Sequence, residues 1–175
     1  TSRFHLLPKS VKSATPIRDG LSEVWADPVL RITIGGFALI ATFAFNHTVA
    51  FPLTVTERLG ESDEYYGYLL SVMSIGSIAG SLFVARLVVV SQRFMLICAA
   101  LLGSSLIAFS FVTATWAAFL LVMPLGAGMT SYMNSSNIIV QQRTSPEIRS
   151  RVLALISVVF LGSTPIGGPI TGIIG

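Results

Sequence analysis

Four stretches of this chain carry no Asp, Glu, Lys or Arg: residues 32–56, 65–85, 94–142 and 152–175. Most side chains within them are apolar. Over the whole chain 53% of residues are hydrophobic and only 11% charged, whereas a soluble domain carries about 25% charged residues. A chain of 175 residues has no aqueous core large enough to hide that much apolar surface, so lipid is its natural solvent.

A spanning helix needs roughly 20 mostly apolar residues, rising about 1.5 Å each across a core of about 30 Å. The first, second and fourth stretches each fit one crossing. The third is about twice too long for one and must fold back. Thr113-Ala114-Thr115-Trp116 is the place for that turn, because Trp favours the membrane interface. The predicted crossings are 29–56, 65–89, 94–113, 116–142 and 150–174. Barrel strands would alternate apolar and polar residues; these runs do not alternate. The predicted fold class is therefore all-α, a polytopic membrane helical bundle with five transmembrane helices.

The basic residues orient it. One side holds Arg3, Lys9, Lys12, Arg18 and Arg31, then Arg86 and Arg93, then Arg143, Arg149 and Arg151. The other side holds Arg58 alone, in a loop with Glu57, Glu61, Asp63 and Glu64. The positive-inside rule places the first side in the cytoplasm. The net charge of +3 thus reflects topology. No basic patch is interleaved with stacking aromatics, so nucleic acid is not an expected partner.

Residues 1–27 read as a cytoplasmic linker ending in a short interfacial helix, with Ile17, Leu21, Val24 and Trp25 on one face. The partial half-bundle then occupies 28–175. Asp27-Pro28 is suited to cap and start the first crossing. Ser145-Pro146-Glu147 repeats the device, and Glu147 and Arg151 are spaced to pair on an exposed turn. The chain begins with Thr and ends inside an apolar run; both ends read as cuts in a longer protein.

Polar residues inside a membrane face other helices or water. Thr130, Asn134, Asn137 and Gln141 stand at i, i+4, i+7 and i+11, one face of the fourth crossing. Asn46 and His47 add polarity at mid-depth in the first. These six read either as the wall of a wet substrate cavity or as interhelical hydrogen-bonding groups. His47 is suited to carry a proton near neutral pH, or to pack as a neutral side chain. An uncharged wall of this kind disfavours a strongly ionic cargo. The third crossing is apolar nearly all round and belongs on the lipid side.

Gly76 and Gly80 on the second crossing, and Gly168 and Gly172 on the last, are four residues apart and form helix-packing surfaces. Pro124 and Pro165 interrupt backbone hydrogen bonding inside their crossings and are candidate gating kinks. Arg86, Arg93, Glu147, Arg149 and Arg151 are the charges of the cytoplasmic loops. Cys98, the single cysteine, cannot form an internal disulfide and reads as a small apolar filler. His5 and His47 are far apart in sequence, the outward acids sit in one short loop, and no metal-ligand spacing appears, so neither an enzyme nor a cofactor is expected.

Several stretches together resemble a known family. They include Trp25-Ala-Asp-Pro-Val-Leu-Arg31, Phe45-Asn-His-Thr-Val-Ala-Phe-Pro-Leu53, Tyr66-Gly-Tyr-Leu-Leu-Ser71, Gly76-Ser-Ile-Ala-Gly-Ser81 and Pro146-Glu-Ile-Arg-Ser-Arg-Val152, with Thr164-Pro-Ile-Gly-Gly-Pro169 closing the set. In order and spacing they resemble the C-terminal half of a major facilitator superfamily transporter, in the bacterial exporter branch that includes the enterobactin exporter. His47 and Ser150 depart from that branch, where Phe and Gly are expected.

The resemblance implies a twelve-helix protein of the bacterial cytoplasmic membrane, working by alternating access. The crossings here would be its seventh to eleventh. The first six helices and the twelfth would lie outside this chain. The implied function is proton-coupled export of small amphipathic compounds, drug-like or siderophore-like. The implied partners are the bilayer, the rest of the transporter, the cargo and protons. A non-transporting scaffold or receptor reusing the fold is the alternative.

Overall fold

The structure is a computed structural model that describes residues 22, 24–44, 51–146 and 149–158. Its described residues are almost entirely helical. Four long helices dominate: α1 (Pro28–Ala44), α2 (Asp63–Ala85), α3 (Gln92–Ser110) and α4 (Thr115–Arg143). Residues 149–158 are also helical. Among the described residues, three helices are long and apolar enough to cross a membrane, at Glu64–Ala85, Gln92–Ser110 and Thr115–Arg143. The first crossing is only partly described: α1 ends at Ala44, and residues 45–50 lie outside the described residues. Most of the 150–174 span and most of the 1–27 linker also lie outside them.

Local chemistry sets the helix ends. The Asp27 carboxylate accepts from the Val29 amide at 2.8 Å, capping α1 beside Pro28. The Ser91 hydroxyl accepts from the Phe94 amide at 3.2 Å and starts α3. The second crossing stops at Ala85, four residues before its predicted end. There the chain turns at Arg86 and leaves Val88 and Val89 exposed, apolar though they are.

At the opposite end, residues 51–53 are helical and lead into a wide turn at Thr54–Arg58, where the Leu59 amide reaches back five residues to the Thr54 carbonyl. Gly60 has a φ of 66°, which lets the chain reverse into α2. Two contacts then tie this loop to the next. Arg58 donates to the Ser110 carbonyl at the end of α3. The Thr115 hydroxyl donates to Glu61 at 2.9 Å, which sets a carboxylate at the N-terminus of α4.

Helix α4 is the centre of the bundle. It packs most extensively on α2, next on α3, and along a shorter seam on α1. The core has two halves. Toward the basic end, Leu30, Phe37, Val84, Met95, Tyr132 and Val140 pack together with Val152 and Ile156 from the helix that follows. Toward the acidic end, Phe51, Val55, Leu69, Leu102, Phe109 and Val122 do so. Helix α3 presents Leu96, Ile97, Leu101 and Ile107 outward, a surface suited to lipid.

Candidate functional site

Helices α2 and α4 run parallel and approach closely, because their facing residues have almost no side chain. A Cβ on Gly76 would collide with the Met123 carbonyl, and one on Gly126 with the Met73 carbonyl. A Cβ on Gly80 would stand 2.5 Å from the Ala127 carbonyl oxygen and 2.7 Å from the Ser131 hydroxyl. Gly128, on another side of α4, would meet the backbone of Leu102 on α3 at 2.9 Å. The Gly76/Gly80 pair therefore lies between α2 and the central helix of its own half.

That proximity creates a polar seam. The Thr130 hydroxyl donates to the Ser77 carbonyl at 2.9 Å and to the Gly126 carbonyl at 3.0 Å. The Ser77 hydroxyl donates to the Gly126 carbonyl at 3.3 Å. One turn on, the Asn134 amide donates to the Ser81 hydroxyl at 3.3 Å. Thr130, Ser77, Asn134 and Ser81, which would be costly in hydrocarbon, thus find partners across the seam. Pro124 sits half-buried just before it, within a helix that continues through.

Helix α1 lies on another side of α4 and runs antiparallel to it. The Tyr132 hydroxyl lies against Gly36, and the Tyr132 ring stacks on Phe37 with centroids 6.5 Å apart. At the basic end, Arg143 pairs with Asp27 at 3.4 Å. The same carboxylate caps α1 with its other oxygen, so Asp27 joins the start of α1 to the end of α4.

The profile of the Major Facilitator Superfamily matches residues 13–175. The chain belongs to the major facilitator superfamily. Comparison with curated proteins and with solved structures gave no match. This is a membrane transporter family, generally without enzymatic activity, and the apolar helices α2, α3 and α4 are in keeping with a multi-pass protein in a bilayer.

Within this major facilitator chain the four residues of the predicted α4 stripe divide into two pairs. Thr130 and Asn134 are held by α2. Asn137, half-buried, and Gln141, exposed, have no hydrogen-bond partner among the described residues. Asn46 and His47 lie outside the described residues, as do Pro165, Gly168, Gly172 and Glu147. Arg86 and Arg93 are exposed, and Arg149 and Arg151 are half-buried.

Sequence reasoning did not identify Ser77 and Ser81 as partners of Thr130 and Asn134. It also missed the Gly36 notch and the close-packing roles of Gly126 and Gly128. The spacing of Gly126 and Thr130 opposite Gly76, Ser77 and Gly80 was the available signal, but it shows only when two helices are read together. No cluster of three or more metal-ligating side chains occurs among the described residues.

Proposed function

We propose that this chain forms part of a secondary active transporter that exports small amphipathic compounds in exchange for protons, by alternating access. The observation that carries the reading is the division of the α4 stripe. Among the described residues, the central helix keeps two amides, those of Asn137 and Gln141, without a hydrogen-bond partner, on a face left partly open. An amide left unpaired at membrane depth has a large desolvation cost unless water or a ligand meets it.

In this reading Thr130 and Asn134 fix the α2–α4 wall, while Asn137 and Gln141, with Asn46 and His47 from the first crossing, line the cargo cavity. The transporter sits in a bacterial cytoplasmic membrane with residues 1–27 on the cytoplasmic side, as the distribution of Lys and Arg favours. The remaining helices, including the six-helix first half, complete the cavity, and protonation biases the inward–outward equilibrium.

The test is flux in proteoliposomes holding the full-length transporter. Lipophilic cations and siderophore-like compounds are offered with and without an imposed pH gradient. Flux that follows the gradient supports proton-coupled export. Flux indifferent to it replaces that reading with facilitated diffusion or another coupling ion. No flux from folded protein, with any compound, favours a scaffold or receptor that reuses the fold.

A further inference from the structure

Arg31 is the one cation placed within the first turns of α1, and its neighbourhood is unusual. Along α1 the buried face is Leu30, Thr33, Ile34, Phe37 and Ala41. Gly36, on one flank of that face, meets Tyr132. Tyr132 is one turn from Gly128, which meets α3, so this flank of α1 is the one turned toward α3. The opposite flank carries Arg31, Gly35, Ala38 and Thr42. It therefore turns toward the side of α4 that lies between α1 and α2, where Asn137 stands. All four are exposed or half-buried.

The register puts the charge near the level of the Asn137 and Gln141 amides. Tyr132 at Gly36 and Arg143 at Asp27 fix the antiparallel alignment of α1 and α4. Interpolation sets Arg31 level with residues 137–139. Helical side chains lean toward the N-terminus of their own helix. Arg31 therefore leans toward the basic end, where Gln141 lies, and Gln141 leans back toward Asn137.

Arg31 has no counter-ion among the described residues. Asp27, the one acidic residue described at this end, is engaged with the Val29 amide through one oxygen and with Arg143 through the other. A guanidinium and two primary amides, none with a partner among the described residues, make a set of hydrogen-bond donors around one positive charge. Their complement is a small oxyanion.

We propose that Arg31, with the amides of Asn137 and Gln141, receives an anionic group of the cargo at the basic-end mouth of the cavity, so that the substrates include amphipathic organic anions. The proposal rests on the cavity reading above and adds the charge class of what enters it. A carboxylate from another part of the transporter would satisfy the same chemistry, and the test separates the two sources.

Binding of naphthoate and of its neutral isostere naphthamide is measured by titration calorimetry on the purified full-length transporter, for wild type, Arg31→Gln and Arg31→Lys. The expected result is preference for naphthoate in the wild type and its loss in Arg31→Gln by about tenfold, the scale of one charge-assisted hydrogen bond. Arg31→Lys retains part of the preference, and naphthamide binding stays level across the three proteins. Equal binding of the two probes by the wild type, or binding of neither, overturns the proposal. So does an equal loss for both probes in Arg31→Gln, which would assign Arg31 to a carboxylate of the protein. None of these results bears on flux of lipophilic cations, so the transport reading stands or falls separately.

Discussion

The hydroxyl of Tyr132 occupies the space that any side chain at residue 36 would need, 2.8 Å from where a Cβ on Gly36 would stand. Tyr132 is only 1% exposed and stacked on Phe37, so it has little room to give way. Gly36→Ala should therefore destabilise the full-length transporter by about 1–3 kcal/mol, the usual range for overpacking a filled core. Removing the obstructing atom should relieve it: Gly36→Ala with Tyr132→Phe should lose less than the two single changes added together. Thermal unfolding in detergent checks both. Strict additivity would mean that Gly36 is needed for some reason other than this hydroxyl.

The α2–α4 seam makes a sharper demand, since what a Cβ on Gly76 meets is the Met123 backbone rather than a movable side chain. Gly76→Ala should push the two helices apart and weaken the Thr130–Ser77 and Asn134–Ser81 bonds together. A loss of about 2 kcal/mol or more is expected, at the upper part of the overpacking range. Gly67→Ala and Gly103→Ala are the controls, because a Cβ at either position meets nothing within 4 Å. If all three variants melt alike, the close approach is not what holds the half-bundle together.

Asn134 and Asn137 look equivalent in sequence, yet only Asn134 bonds to a neighbouring helix among the described residues. Asn134→Ala should lower stability by about 0.6 kcal/mol, the mean for an interhelical hydrogen bond in a membrane protein, and leave cargo affinity unchanged. Asn137→Ala should do the reverse, weakening binding of whichever compound the flux panel identifies while the melting point holds. Calorimetry and thermal unfolding on the same two variants decide it. Reversed roles would exclude Asn137 from the cargo site.

These contrasts mark what one sequence can and cannot say. Charge-free runs place the helices because solvation in lipid is a property of each segment alone: α3 begins two residues before its predicted start and α4 one. The ends err where a local competitor intervenes. The run through Leu87–Val90 is apolar enough to prolong α2, but the Ser91 cap starts a new helix and the chain must turn before it. Partnership between helices is the part that a single pattern hides. Thr130, Asn134, Asn137 and Gln141 share one periodicity, and only the register of α2 beside α4 separates those that bond across it from those without a partner among the described residues. Arg31 shows the same limit: the sequence counts it as one more cytoplasmic charge, whereas the flank it occupies depends on where α1, α3 and α4 touch.

Asp27 serves two structures with one carboxylate, and substitutions can separate them. One oxygen caps α1 through the Val29 amide and the other meets Arg143 at 3.4 Å. The pair is partly open to solvent, with the Arg143 side chain 51% exposed and that of Asp27 25% exposed. Such a pair contributes about 0–1 kcal/mol, whereas an N-cap contributes about 0.5–2 kcal/mol. Asn caps as well as Asp but carries no charge, so Asp27→Asn should cost no more than Arg143→Gln, and the cost of each should shrink as salt is raised. Asp27→Ala should cost clearly more and keep most of that cost at high salt, because a cap is local and largely unscreened. Melting points of the three variants at low and high ionic strength provide the measurement. If Asp27→Asn proves as damaging as Asp27→Ala, the ion pair and not the cap holds the start of α1 to the end of α4.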